Sequence, residues 1–158
     1  MHPLAFVSLC VLTGWVLTVV PLPHDFLMWW PAWAVLVQIW LALNVGRYSG
    51  IIAAWLMGLC LDFLSGSPLG SQAFAMALCI YGVTVFRLRI RNMHPVQQAL
   101  MVGLATAVFF AVSLWIRVAL GHDLNPLAAL TSTAISVVAW PLLSHALNTL
   151  HLRLMREA

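Results

Sequence analysis

Ile51-Ile-Ala-Ala-Trp-Leu-Met-Gly-Leu-Cys-Leu-Asp62-Phe-Leu64 is an apolar run broken by one carboxylate, and the small-residue turn Ser65-Gly-Ser-Pro-Leu-Gly70 follows it directly. A run this apolar reads as a membrane helix. A carboxylate near the middle of such a helix costs about 2.5–3.5 kcal/mol on insertion scales. Something in the protein must offset that cost, so Asp62 is the first place to look for function.

The rest of the chain has the same character. Hydrophobic residues make up 63% of its 158 residues and charged residues only 7%, with a mean hydropathy of +1.00. A soluble domain carries roughly a quarter charged residues. Nearly every stretch between Pro and Gly punctuation is apolar for about 16–22 residues, enough to cross a hydrocarbon core. The pattern predicts an all-α, polytopic membrane protein with a single domain over residues 1–158. The first apolar stretch has neither a basic leader nor a small-residue cleavage site, so it reads as retained.

Six spans are expected, at approximately 4–21, 27–46, 48–65, 70–86, 96–120 and 127–150. Pro21-Leu-Pro-His-Asp25 separates the first pair, Asn44 to Gly50 links the second to the third, and Gly121 to Pro126 breaks the fifth from the sixth. Pro141 falls within the last span and predicts a kink. Arg47, Arg87, Arg89, Arg91, Arg153 and Arg156 all fall on one side of this layout, while the opposite loops carry Asp25 and Asp123 and no Arg or Lys. The positive-inside rule then places both termini in the cytoplasm. Trp29, Trp30, Trp33 and Trp115 fall at the outer interface, where amphipathic rings favour the headgroup level, or serve simply as bulky membrane residues.

The net charge of +3 comes from Arg at helix ends, which is no nucleic-acid footprint. Cys10, Cys60 and Cys79 lie inside apolar runs with no metal or disulfide spacing, and read as small buried hydrophobes. No cofactor is implied.

Every fourth residue from Gly50 is small apart from the acid: Gly50, Ala54, Gly58, Asp62, Gly66, Gly70. Helices in lipid gain little from apolar burial against each other. Close backbone approach drives their packing, and small residues four apart permit it. The stripe predicts a tightly packed face with Asp62 pointing into protein. Three arrangements are open: a buried Asp62–Arg117 ion pair, capping of backbone N–H groups in the Ser65–Gly70 turn, or Arg117 snorkelling outward on its own.

Gly58-Leu-Cys-Leu-Asp62-Phe-Leu-Ser-Gly66-Ser-Pro-Leu-Gly70-Ser-Gln-Ala73 resembles the signature of the bacterial rod shape-determining MreD family, and the length, six-span layout and basic Arg87–Arg91 loop match across nearly the whole chain. The resemblance implies a non-enzymatic component of the cell-wall elongation complex in the inner membrane. Its implied direct partner is the single-span protein MreC, with MreB, RodZ, RodA and its transpeptidase as complex members. It also implies a six-helix bundle similar to the S-components of energy-coupling-factor transporters, a likeness of fold only. Carried onto this chain, the functional segment is Gly58, Asp62, Gly66, Leu69 and Gly70. The small-residue face of the third span would accept the MreC helix. The loop Arg87-Leu-Arg-Ile-Arg91 would meet anionic lipid or a cytoplasmic partner, or act only as a topological anchor.

Enzyme signals are poor, with no zinc-protease helix, phosphate loop or nucleophile elbow. Ser65 and Ser67 lack a convincing intramembrane base, and the lone His145 reads as packing or a hydrogen-bond donor. The outer-loop pairs His24-Asp25 and His122-Asp123 are better explained as solvated turns than as metal ligands. The competing functional class is an S-component-like binder or transporter of a small molecule or lipid. Proton-coupled transport favours several intramembrane ionisable groups, and this chain offers two.

Overall fold

The computed structural model of the chain describes residues 10–14, 16, 18, 32–45, 50–121 and 126–156, without the side chains of 126, 128 and 152–156. Beyond a helical stretch at residues 10–14, six helices carry the described fold: α1 (Trp33–Asn44), α2 (Ile51–Ser65), α3 (Ser71–Val85), α4 (Arg87–Arg91), α5 (Pro95–Ala119) and α6 (Pro126–Arg156). No strand occurs among the described residues. The expected all-α class holds. The loops expected to carry His24, Asp25, His122 and Asp123, together with Trp29, Trp30 and Arg47, lie outside the described residues.

Among the described residues, two segments are long and apolar enough to cross a membrane, Pro95–Ala119 and Ala129–His151. The expected spans at 48–65 and 70–86 are shorter than their apolar runs suggest, with glycine bounding the first at both ends and the second at its start. Gly50 opens α2 in an extended conformation, Gly66 closes it at φ +62, and Gly70 stands before α3 at φ +98. Each helix has 15 residues, about 22 Å at 1.5 Å per residue, against about 30 Å of hydrocarbon. The predicted basic loop is instead the short helix α4, begun when the Ile90 N–H donates to the Phe86 carbonyl at 2.9 Å. Pro95 starts α5 at a position where its missing N–H costs nothing. Pro141 lies inside α6, which is helical on both sides of it.

The bundle is organised around α1. Every residue from Ala34 to Leu43 is buried, the mark of a helix surrounded by protein on all sides. It packs against α3, α4, α5 and α6. Polar contacts fix it at both ends: the Ser136 hydroxyl accepts from the Ala32 N–H at 3.2 Å, and the Trp40 indole N–H donates to Asn148 Oδ1 at 3.2 Å. The His151 ring meets Trp40 edge-on, with centroids 5.9 Å apart. Arg87 Nε donates to the Leu43 carbonyl at 2.9 Å, placing a cation at the negative end of α1.

By contrast, α2 is peripheral. Its main neighbour among the described helices is α3, which in turn packs on α5, and α5 on α6. Cys10 and Cys79 are buried and Cys60 half-buried, all as free thiols, and Cys79 Sγ donates to the Ala105 carbonyl at 3.2 Å.

Candidate functional site

The site is the junction of α2 and α3. Asp62 sits one turn before the end of α2 and has no exposed surface. Its carboxylate accepts from five groups of the following turn and helix. Oδ1 takes the Ser67 hydroxyl at 2.6 Å, the Ser71 hydroxyl at 2.9 Å and the Gln72 N–H at 3.0 Å. Oδ2 takes the N–H groups of Gly70 at 2.9 Å, Ala73 at 3.2 Å and, as a shared bond, Gln72 at 3.2 Å.

Asp62 is therefore the N-terminal cap of α3, delivered from another helix. A helix start leaves backbone N–H groups without partners, and the residue just before it ordinarily supplies a side-chain acceptor. Here that residue is Gly70, whose positive φ suits glycine and which has no side chain to offer. The carboxylate fills the role, and the positive end of the helix dipole favours its charge. Hydrogen bonds to a charged group contribute about 1.5–3 kcal/mol each. One or two of them match the cost of about 2.5–3.5 kcal/mol for a carboxylate inside a membrane helix.

A second layer of polar groups closes around the first. The Ser65 hydroxyl donates to the Leu61 carbonyl at 2.6 Å and lies 3.1 Å from the Ser67 hydroxyl. Gln72 Nε2 donates to the hydroxyls of Ser65 at 2.8 Å and Ser67 at 3.2 Å. The Asp62 carbonyl also accepts from Gly66 and Ser67, which closes the end of α2. The two serines that sequence reading weighed as nucleophiles serve instead as donors in this network. Gln72, Ser67 and Ser71 were not foreseen as site residues; the signal available was a run of short polar side chains immediately after a buried acid.

The small-residue stripe divides into three roles. A Cβ on Gly58 would lie 2.4 Å from the Ala73 Cα and 2.7 Å from its nitrogen, so α2 and α3 touch backbone to backbone there. Ala54 is likewise fully buried. Gly66 and Gly70 have open space around them and serve the turn through their positive φ. Gly50 is exposed, with nothing near it. Leu69 is 74% exposed. The tightly packed part of the stripe is thus occupied by this chain's own α3, which corrects the expectation that it stands free for a partner helix.

Arg117 is not among the partners of Asp62. It lies in the last turn of α5, a favourable place for a cation, and its Nε is buried without a hydrogen-bond partner. The ion pair expected as one option gives way to capping, because hydroxyls and N–H groups already fill the carboxylate. Arg87 is half-buried against α1, whereas Arg89 and Arg91 are exposed. Trp115 is 73% exposed near the same end of α5 as Arg117.

A family model described as rod shape-determining protein MreD matches residues 2–150. The chain belongs to the MreD family. The Rod shape-determining protein MreD of Haemophilus influenzae is 28% identical to it over 128 residues, 81% of this chain and 79% of that one. No solved structure matches the chain. Membership of the MreD family gives the chain a role in rod-shape determination, and with its long apolar helices makes it a membrane protein. The segment that resembled the MreD signature, Gly58 to Ala73, is the one that folds into the Asp62-capped hairpin.

Proposed function

We propose that this MreD-family chain is a non-enzymatic scaffold of the cell-wall elongation machinery in the bacterial inner membrane, holding the transmembrane helix of MreC on the outer side of its α2–α3 hairpin. In this reading the chain crosses the membrane six times in a bundle similar to the S-components. Both termini and the clustered arginines lie in the cytoplasm, and MreB, RodZ, RodA and its transpeptidase belong to the same assembly.

The observation that carries the reading is the five-donor cap at Asp62. It locks a peripheral helix, α2, to the body of the bundle through α3. The outward side of α2 presents Ile52, Leu56 and Phe63, each well exposed and spaced by four or seven residues along one face. A rigid apolar ridge of this kind suits a single apolar helix lying alongside it, with shape fixed in advance so that little ordering entropy is lost. Ligand binding at Asp62 is the weaker reading, since the carboxylate's acceptor sites are taken by this chain's own donors.

Photo-crosslinking residues placed at Phe63 on α2 and at Val138 on α6 test the proposal in rod-shaped cells. Capture of MreC from position 63 and not from 138 is expected. Capture from 138 alone, or equal capture from both, overturns the placement.

A further inference from the structure

A second feature lies away from the hairpin. Between α3, α4 and α5 runs an apolar groove of about 220 Å³. Its floor is Cys79, Val83 and Ile90, all buried, and its walls are Leu78, Phe86 and Leu104, each more than 40% exposed. The groove is therefore open along its side. Gly82 lies in its lining, and a Cβ on that glycine would meet nothing within 4 Å. This sets Gly82 apart from Gly58 in α2 and Gly103 in α5. Gly58 and Gly103 are pressed against a neighbouring helix, whereas Gly82 leaves space empty.

The dimensions and the charge identify the occupant. From Leu78 to Phe86 the groove follows α3 for about 12 Å at 1.5 Å per residue, most of the roughly 15 Å depth of one leaflet's hydrocarbon. Ile90 in its floor is supplied by α4, which also carries exposed Arg89 and Arg91. Successive helix residues point about 100° apart, so Arg89 and Arg91 leave α4 on either side of Ile90. No Asp or Glu occurs anywhere between Asp62 and Asp123, so no acid of these helices opposes an anion there. Arg87 takes a different role, tied by Nε to the Leu43 carbonyl.

We propose that this groove binds one acyl chain of an anionic phospholipid, with the phosphate held by Arg89 and Arg91. Arginine suits the task because its planar guanidinium donates to phosphate in pairs and stays charged. An apolar slot with two exposed cations on one of the helices that line it suits a lipid better than an apolar protein helix, which would use the slot without needing the charge. The site is separate from the Asp62 hairpin, so the proposal stands or falls independently of the MreC reading.

The test uses the full chain, purified and delipidated, then offered phosphatidylglycerol or phosphatidylcholine with identical chains and read by native mass spectrometry. Wild type is expected to retain one phosphatidylglycerol with a preference on the order of tenfold over phosphatidylcholine, the effect of cations near an anionic headgroup. Gly82→Leu fills the slot and should lose both lipids. Arg89→Gln with Arg91→Gln, on exposed side chains that leave the fold intact, should abolish the preference while keeping weak retention of either lipid. Equal retention of the two lipids by wild type overturns the proposal. So does an undiminished preference in the double arginine variant, or retention by Gly82→Leu equal to wild type.

Discussion

A methyl group on Gly58 would sit 2.4 Å from the Cα of Ala73, and the N–H of that same alanine donates to Asp62, one turn further along α2. Helix packing and helix capping therefore converge on one residue of α3. The close approach at Gly58 brings the start of α3 within reach of the carboxylate, and the carboxylate holds the start of α3 against Gly58.

Substitution along the stripe should separate its roles. Gly58→Ala forces two backbones apart and is expected to cost about 1–3 kcal/mol or more, the range for overpacking. Gly66→Ala meets no atom but must hold φ +62, an expected loss of about 1–2 kcal/mol. Gly50→Ala, with open space and ordinary φ, should be close to neutral. Unfolding midpoints of the three variants in one detergent give the order; a Gly50 variant as damaged as the Gly58 variant contradicts it.

Asp62→Leu removes the acceptor from two hydroxyls and three N–H groups. Each buried donor left unpaired costs about 1–3 kcal/mol, so the start of α3 should open. Hydrogen exchange at the amides of Gly70, Gln72 and Ala73 should accelerate strongly, while those in the middle of α5 keep their protection. In cells the variant should insert in the membrane and fail to support rod shape. Uniform protection across α3 in the variant would remove the cap from the account.

Much of this architecture was legible from punctuation. Gly50, Gly66 and Gly70, Pro95 and Pro126 stand at helix ends where the sequence suggested breaks. Burial of Asp62 followed from the cost of exposing it to lipid. Capping within the Ser65–Gly70 turn was one of the open arrangements and holds at the Gly70 N–H. The Gln72 and Ala73 N–H groups did not follow, because they lie ten and eleven residues away on the next helix, while capping patterns in sequence are read within four. The search for an opposite charge pointed to Arg117, yet a ring of dipoles satisfies a carboxylate as well as a cation does. Ala99, Gly103, Ala107 and Ala111 repeat the four-residue spacing in α5. Of these, Gly103 is pressed against Val137 of α6, and no acid on the stripe drew attention to it, while Ala111 is exposed.

Arg87 and Arg89 look equivalent in sequence but differ in the fold. Arg87 Nε donates to the carbonyl of Leu43 at the C-terminal end of α1, a charge-assisted bond at a favourable dipole. Arg87→Ala should destabilise the protein by about 1–2 kcal/mol, and Arg89→Ala, on an exposed side chain, by less than about 0.5 kcal/mol. Chemical unfolding of both variants checks the contrast. Equal losses would show that the basic segment acts as one undifferentiated charge patch.

Gly103 and Gly58 permit close contacts of different kinds, and rescue experiments should tell them apart. A Cβ on Gly103 would lie 2.2 Å from Val137 Cγ2, a side-chain atom on α6. Valine in a helix is held to one χ1 rotamer, so it cannot swing aside, and Gly103→Ala should cost about 1–3 kcal/mol. Truncating the obstacle removes the clash: Gly103→Ala with Val137→Ala should recover part of that loss, giving a coupling above about 0.5 kcal/mol in a double-mutant cycle. At Gly58 the obstructing atoms belong to the backbone of Gln72 and Ala73, which no side-chain change removes. Gly58→Ala with Ala73→Gly should therefore show no recovery. Rescue at position 58, or none at 103, would mean that the two helix contacts are not built as the backbone distances indicate.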